Sequence, residues 1–192
     1  MNKENLMNSW MKHIAPSSAC SISEMEKRVA RFHELPKSPR AFADTYLPGH
    51  ERTLFSVIGS GVTDNPSFKP KINSAENFHV DFIVAPKGCG AAMHWHDSEE
   101  VFIAQSGSWA IDWLDGATEM IRTITLEERD TISVPPFVHR AFRSLDGEKG
   151  LLISILGGKT PSPVKWHENV AKQAVSQGVF FDDQGIAVKI SN

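Results

Sequence analysis

The sequence predicts an all-β protein, an antiparallel sandwich or barrel, on two observations. Between residues 78 and 156, six short segments are rich in the β-branched and aromatic residues that favour strands. Turn signals separate them at Pro86 to Gly88, Ser106-Gly107, Asp115-Gly116, Pro135-Pro136 and Asp146-Gly147. Several short strands divided by turns at this spacing are typical of antiparallel two-sheet folds.

The six predicted strands lie, in chain order, in FHVDFIVAP, EEVFIAQ, SWAIDWL, EMIRTITL, DTISVP and GLLISIL. Asp115-Gly116 is the strongest hairpin signal, because this dipeptide favours a tight turn between antiparallel strands. Among the buried residues we expect Phe82, Phe102, Ile111 and Ile132.

The flanking segments divide the chain into three predicted parts. Residues 1–35 form an N-terminal extension, in which Ser23 to Glu26 fits a capping box and residues 29–32 fit either a helical face or the start of a strand. Residues 36–160 form the barrel domain, whose Pro- and Gly-rich N-terminal arm contains one strand at Thr53–Ile58. Residues 161–192 form a C-terminal helix at His167–Ser176, capped near Gly178, and a tail.

Composition excludes several functional classes. A chain of 192 residues with a formal net charge of −3 has no basic stretch suited to nucleic acid or to a membrane surface. Its two cysteines imply no disulfide framework. No apolar run fits a secretory signal or a membrane span, so we expect a cytoplasmic protein without nucleic-acid or membrane partners.

The stretch GCGAAMHWHDSEEVFIAQSG, residues 88–107, concentrates metal-binding side chains. On a strand, His94 and His96 point to the same face and Trp95 to the other. Asp97-Ser98 fits a turn, so Glu100 would open the next antiparallel strand and lie back beside the histidines. Two imidazoles and one carboxylate on one face suit non-haem Fe²⁺, and also Mn²⁺, Ni²⁺ or Zn²⁺.

The spacing of this stretch resembles the first motif of the cupin superfamily. Gly88, five residues, His94-Trp95-His96, three residues, Glu100, six residues and Gly107 match every fixed position. The resemblance covers roughly residues 75–160 and implies a double-stranded β-helix, the cupin jelly roll, here with short flanking helices. It also implies a bound divalent metal, and the flanks resemble those of dioxygenase-like cupins. Cupins are frequently homodimers, which is the assembly that we expect.

The second cupin motif matches poorly. Anchored on Pro135, the family's Gly, Pro, Gly, His and Asn fall on the residues Arg129, Pro135, Phe137, Arg140 and Ser144. A regular strand would turn Arg140 inward, in phase with Phe142, whereas a bulge would turn His139 inward as the fourth ligand. Both remain open; we include His139 with the metal ligands because a guanidinium beside a divalent cation is costly. Arg140, Phe102 and His79 are the predicted substrate contacts.

The resemblance and the ligand set predict a metal-dependent cupin. The favoured activity is that of a non-haem Fe²⁺ dioxygenase-like enzyme acting on a small organic molecule, for which Arg140 could bind a carboxylate through its donor fork. One alternative is a metal-assisted isomerase or lyase with His79 or His139 as general base. The other is a barrel that binds a small molecule without catalysis.

Overall fold

The fold is described from a computed structural model of the chain, which describes residues 2–11, 19–59, 63–65, 67–160, 162–182 and 187–189. Within these ranges the flanks contain three α-helices: α1 (Lys3–Met11), α2 (Ile22–Glu26) and α3 (Glu168–Ser176). The strands are β1 (Lys37–Ser38), β2 (Thr53–Ile58), β3 (Phe78–Val84), β4 (His94–Trp95), β5 (Glu100–Ser106), β6 (Trp109–Asp115), β7 (Met120–Leu126), β8 (Thr131–Val134), β9 (Arg140–Ser144), β10 (Leu151–Gly157), β11 (Lys165–Trp166), β12 (Val179–Phe181) and β13 (Ala187–Lys189).

Two antiparallel sheets build the barrel. One has the strand order β1-β2-β3-β10-β5-β8 and the other the order β11-β4-β9-β6-β7. Their inner faces meet in one core, where the rings of Phe102 and Phe142 lie edge to face with centroids 5.3 Å apart. The predicted antiparallel jelly roll with short flanking helices is confirmed, and all six predicted strand segments form strands. Strand β11 pairs with β4, so the barrel continues past residue 160.

Side chains of β3 point alternately into the barrel and out of it, and this alternation corrects the prediction that Phe82 is buried. His79, Asp81 and Ile83 are buried on the inner face, so Phe82 points outward. Its ring stacks on Phe32, which also covers Phe55 on β2. The apolar character of Phe82 predicts a place in the core, but a surface aromatic cluster shields it instead. Phe102 and Ile111 are fully buried as predicted, and Ile132 packs against the core from its edge.

Local signals in the flanks are confirmed with small shifts. The capping box of α2 is formed by Ser21 and Glu24, two residues before the predicted pair. Helix α3 ends before Gly178, which has a positive φ of 78° as a residue following a helix often does. Asp115 and Gly116 begin the β6–β7 hairpin, whose turn spans four residues. Across the described ranges, no helix is long and apolar enough to cross a membrane.

A buried ion pair fastens the N-terminal arm to the barrel. Asp44, in a short 3₁₀ helix at Ala43–Tyr46, accepts two hydrogen bonds of 2.8 and 2.9 Å from the guanidinium of Arg52. Its carboxylate also accepts from the backbone N–H of Ala92 at 2.8 Å. Both side chains are almost fully buried. This pair therefore positions the loop that leads into His94.

We expect Arg52→Ala to lower the free energy of unfolding by about 3–5 kcal/mol, since it leaves the Asp44 carboxylate buried without its cation. The matched control is Arg122→Ala, which removes a solvent-exposed guanidinium 3.3 Å from Asp115 and should cost less than about 1 kcal/mol. Urea denaturation followed by circular dichroism measures both. Equal destabilisation of the two variants would contradict the anchoring role of Arg52.

Candidate metal centre

Three side chains predicted to bind metal converge inside the barrel. His94 lies on β4, His96 directly follows that strand and Glu100 begins β5. Their potential ligand atoms lie within 4.8 Å of one another, and all three residues are buried. Because β4 and β5 belong to different sheets, the cluster bridges the two halves of the barrel. The turn at Asp97-Ser98 makes this possible by reversing the chain, as the sequence predicts.

Backbone carbonyl groups fix the orientation of both imidazoles. Nδ1 of His94 lies 2.7 Å from the carbonyl oxygen of Ala92, and Nδ1 of His96 lies 3.2 Å from that of Ser162. A carbonyl oxygen can only accept, so each Nδ1 carries the proton and each Nε2 keeps its lone pair. This second-sphere arrangement is common around metal-binding histidines. Burial lowers the pKa of both histidines, well below the ordinary value for His94, which favours the neutral form that binds metal.

Glu100 divides its two oxygens between different partners. Oε1 accepts a 2.7 Å hydrogen bond from the hydroxyl of Ser154. Oε2 lies 3.8 Å from Nε2 of His96 and 3.2 Å from Nε of Arg140. Oε2 has no well-aligned hydrogen bond within the described structure, although it is buried. It is thus the carboxylate oxygen available to an ion between the two histidines.

Arg140, and not His139, takes the inward position on β9. Arg140 is fully buried, pairs across the strands with His94, and donates from Nη1 to the carbonyl oxygen of Val138 at 3.0 Å. The ring of His139 instead lies against His167, with centroids 5.5 Å apart, and His139 is not part of the three-residue cluster. The prediction of His139 as fourth ligand therefore does not fit the structure. The alternative, with Arg140 inward, does.

The backbone explains why the strand is not bulged. Arg129 and Phe137, which stand where the second cupin motif has its two glycines, have positive φ angles of 74° and 65°. These left-handed conformations normally favour glycine and cost other residues of order 1 kcal/mol or more. The turn geometry is thus kept without the glycines, and the register that follows it leaves Arg140 at the motif's histidine position.

Asp81 is a cavity residue that sequence reasoning missed. It lies on the inner face of β3 and lines a cavity of about 30 Å³ together with His94, His96 and Glu100. Burial raises its pKa to about 7; the nearby Ser56 hydroxyl opposes the shift and the charge of Glu100 adds to it. Its Oδ1 has no hydrogen-bond partner in the described ranges. The sequence alternation of β3 could have predicted that Asp81 points inward, because Asp81 lies on the same face of the strand as the apolar Ile83.

None of the three predicted substrate contacts lines this cavity. Nε of Arg140 lies 3.2 Å from Glu100, but Arg140 is not one of the residues around the cavity. Phe102 is fully buried in the core and does not line it. His79 is also buried, but its ring lies so close to Gly59 that a Cβ at that glycine would overlap Nδ1. Ser162 is a contact that the sequence did not reveal; its hydroxyl accepts from the backbone N–H of Asp97 at 3.0 Å and its carbonyl orients His96.

The donor set fits a divalent ion. Two neutral imidazole nitrogens and one carboxylate oxygen are directed at one small space, and a cavity of about 30 Å³ holds an ion with one or two waters. Arg140 places a positive charge 3.2 Å from the same carboxylate. This charge competes for Glu100, so we expect weaker metal binding than at a site with a fourth histidine.

Comparisons with known proteins match the fold only distantly. No protein-family model matches the chain, and no curated protein matches it. A solved RmlC-like cupin from Shewanella frigidimarina is 14% identical, with a TM-score of 0.44 over 67% of this chain and 88% of that one. An oxalate oxidase structure is 10% identical, with a TM-score of 0.48 over 80% and 71%. The DMSP lyase DddQ from Ruegeria pomeroyi is 13% identical, with a TM-score of 0.45 over 59% and 50%. At such similarities the fold rests on this chain's own strand order.

We expect purified protein loaded with Fe²⁺ or Co²⁺ to hold about one ion per chain, and His96→Ala to reduce this to background. His139→Ala is the matched control and should keep its metal, because His139 lies outside the cluster. Elemental analysis and the visible absorption of the Co²⁺ form measure occupancy, and circular dichroism checks the fold. Full occupancy in His96→Ala, or loss in His139→Ala, would overturn the three-residue site.

A second expectation concerns the pH dependence of stability through Asp81. Its pKa rises from 3.8 to about 7 on folding, so between these values the folded chain holds a proton that the unfolded chain has lost. Stability therefore falls as pH rises through this window, by at most about 4 kcal/mol. Asp81→Asn removes this contribution and should be more stable than the parent at about pH 8, with little difference near pH 4.

The measurement is urea denaturation of metal-free protein at both pH values. The titration of His94 and His96 is common to parent and variant, so it cancels in the difference between them. A difference that does not change with pH would show that Asp81 is not held protonated by the fold.

Proposed function

We propose that this chain is a metal-dependent enzyme of the cupin type that acts on a small organic molecule. One observation carries the proposal: two histidines, each oriented by a backbone carbonyl, lie close to Oε2 of Glu100 inside a buried cavity. Anchoring Nδ1 of both rings leaves their Nε2 atoms for a common ligand. Such an arrangement has a ready use in metal binding, whereas two packed core histidines do not require it.

Fe²⁺ is the metal that we favour, with O₂ as the second reactant. Two imidazoles and one carboxylate on one face form the ligand set of many non-haem Fe²⁺ oxygenases, and such a set would leave coordination positions open for substrate and oxygen. When bound, such a metal would supply the activation of O₂. In a dioxygenase both oxygen atoms enter the organic product, so no external reductant is required. Mn²⁺, Ni²⁺ and Zn²⁺ suit the same donors.

The chain's own residues would set the geometry and exclude water. Ser154 holds one oxygen of Glu100, which leaves the other directed at the ion. Trp166 lines the cavity beside His94, with ring centroids 5.7 Å apart, and Phe142 and Leu54 form further apolar walls. Reduced solvation strengthens electrostatic interactions with a bound substrate. The buried guanidinium of Arg140 would act on this site through its ion pair with Glu100, at 3.2 Å.

Asp81 favours a second candidate, a metal-assisted isomerase or lyase. These reactions need a general base that titrates near neutral pH, and Asp81 is a cavity carboxylate with a pKa of about 7. It replaces His79 and His139 in this role, since neither of them lines the cavity. In this candidate the rate rises with pH as Asp81 loses its proton, at a lower pH than in the metal-free chain because a bound cation lowers the pKa of a nearby carboxyl group.

The test is an oxygen-electrode assay of Fe²⁺-loaded protein with a panel of small carboxylic acids. We expect O₂ consumption in step with loss of one acid, and none with His96→Ala. Nitric oxide, which binds open positions on Fe²⁺, should give the high-spin iron–nitrosyl electron paramagnetic resonance signal before any substrate is identified. The panel is repeated without oxygen with parent and Asp81→Asn.

The outcomes separate the candidates. Conversion that requires O₂ and persists in Asp81→Asn supports the dioxygenase. Conversion without O₂ that is lost in Asp81→Asn supports the isomerase or lyase. A protein that binds metal but gives neither the nitrosyl signal nor any conversion would contradict both and leave the non-catalytic binding barrel.

A further inference from the structure

The charged groups around the metal ligands balance one another before any ion enters the cavity. Arg52, which lines the cavity, is paired with Asp44 through hydrogen bonds of 2.8 and 2.9 Å. Nε of Arg140 lies 3.2 Å from Oε2 of Glu100, so this guanidinium offsets the one carboxylate of the ligand cluster. A divalent cation that leaves water for a buried site without net negative charge loses its hydration without electrostatic compensation. The three ligands therefore leave a need for negative charge that a further residue can meet.

Asp81 is the other carboxyl group among the residues that line this cavity. It is only 5% exposed, and its Oδ1 has no hydrogen-bond partner within the described ranges. A buried acceptor without a donor is unfavourable. Water bound to a metal ion is a strong donor, because the ion polarises its O–H bonds. The cavity of about 30 Å³ has room for such a water beside an ion.

The register of the sheet places Asp81 next to Glu100 through one serine. Asp81 on β3 pairs across the strands with Ser154 on β10, and cross-strand partners have Cβ atoms about 5 Å apart. The hydroxyl of Ser154 donates to Oε1 of Glu100 at 2.7 Å. Burial is the main cause of the raised pKa of Asp81, and the charge of Glu100 adds to it, so the two carboxyl groups interact. Asp81 does not belong to the cluster whose ligand atoms lie within 4.8 Å of one another, which places it outside the direct ligands.

We propose that Asp81 is the second carboxylate of the metal site: it accepts a hydrogen bond from water on the ion and supplies the negative charge that Arg140 withdraws from Glu100. The metal-free and metal-bound barrels place opposite demands on this residue. Without an ion, a charged Asp81 is buried beside Glu100 and lowers stability, whereas with an ion the same charge is attractive. The inference rests on the proposed function only in taking a divalent metal to occupy this cavity, and it holds for either reaction.

The test compares the Co²⁺ affinity of the parent, Asp81→Asn and Asp112→Asn at about pH 8, by competition with a chromophoric chelator. We expect Asp81→Asn to bind Co²⁺ about tenfold to a hundredfold more weakly, the usual effect of removing an outer-sphere partner of a metal. Asp112→Asn is the matched control, because it removes the same charge from a carboxylate that is paired with Arg143 and does not line the cavity. Its affinity should change by about twofold or less, since distant charges are screened.

A stability measurement separates this role from a merely structural one. In metal-free protein at the same pH, Asp81→Asn should be more stable than the parent, so the variant would lose affinity for Co²⁺ while gaining stability. Because the loss is one of affinity, a sufficient excess of metal still fills the variant for the activity assays.

Equal Co²⁺ affinity of the parent and Asp81→Asn would overturn the proposal, and so would an equal loss in Asp112→Asn. Asp81→Leu removes the same charge with a side chain of similar size and gives the same comparison where Asp81→Asn does not fold. A parent that binds no Co²⁺ would overturn this inference together with the proposed function. Weaker binding in Asp81→Asn without any conversion by the parent contradicts only the enzyme, whereas unchanged binding with conversion contradicts only the role of Asp81.

Discussion

The carboxylate of Glu100 is the interaction on which the rest of the site depends. It is buried, it is held on one side by Ser154, and its free oxygen faces both a histidine and the guanidinium of Arg140. Without Glu100, Arg140 would be an uncompensated charge in the barrel interior, at a cost of several kcal/mol. A metal ion and Arg140 therefore compete for one negative charge. This competition distinguishes the site from one with a fourth neutral ligand.

Segments outside the central strands hold this centre in place. The Asp44–Arg52 pair of the N-terminal arm binds the N–H of Ala92, whose carbonyl in turn orients His94. From the other end of the chain, Ser162 orients His96 and the adjoining Asp97. Each histidine is thus positioned by a different flank. The arm and the residues after the last long strand therefore help to hold the two imidazoles in their orientations.

The cluster of His94, His96 and Glu100 is predictable because the information that brings it together is local. A period of two on a strand brings His94 and His96 to one face, and a short turn returns Glu100 beside them, whatever the rest of the chain does. The stretch from Arg129 to Ser144 is not predictable in this way. Arg129 and Phe137 have the positive φ angles of a left-handed turn, but neither is the glycine that would signal such a turn in the sequence. The choice between His139 and Arg140 depends on that turn. The prediction that Phe82 is buried in the core is wrong for a related reason. An apolar side chain on the outer face of a strand can be covered by another segment, here by Phe32, and the strand sequence does not reveal this.

The sequence by itself determined the strand segments, the antiparallel class and the convergence of His94, His96 and Glu100, since alternation, turn residues and spacing act over a few neighbouring positions. Only the tertiary structure decided what surrounds those ligands. Asp81, Ser154 and Ser162 reach the site from strands and loops far apart in the chain. The physical reason is that burial, and with it the raised pKa of Asp81 and the unpaired donor of Arg140, arises only when distant segments exclude water together.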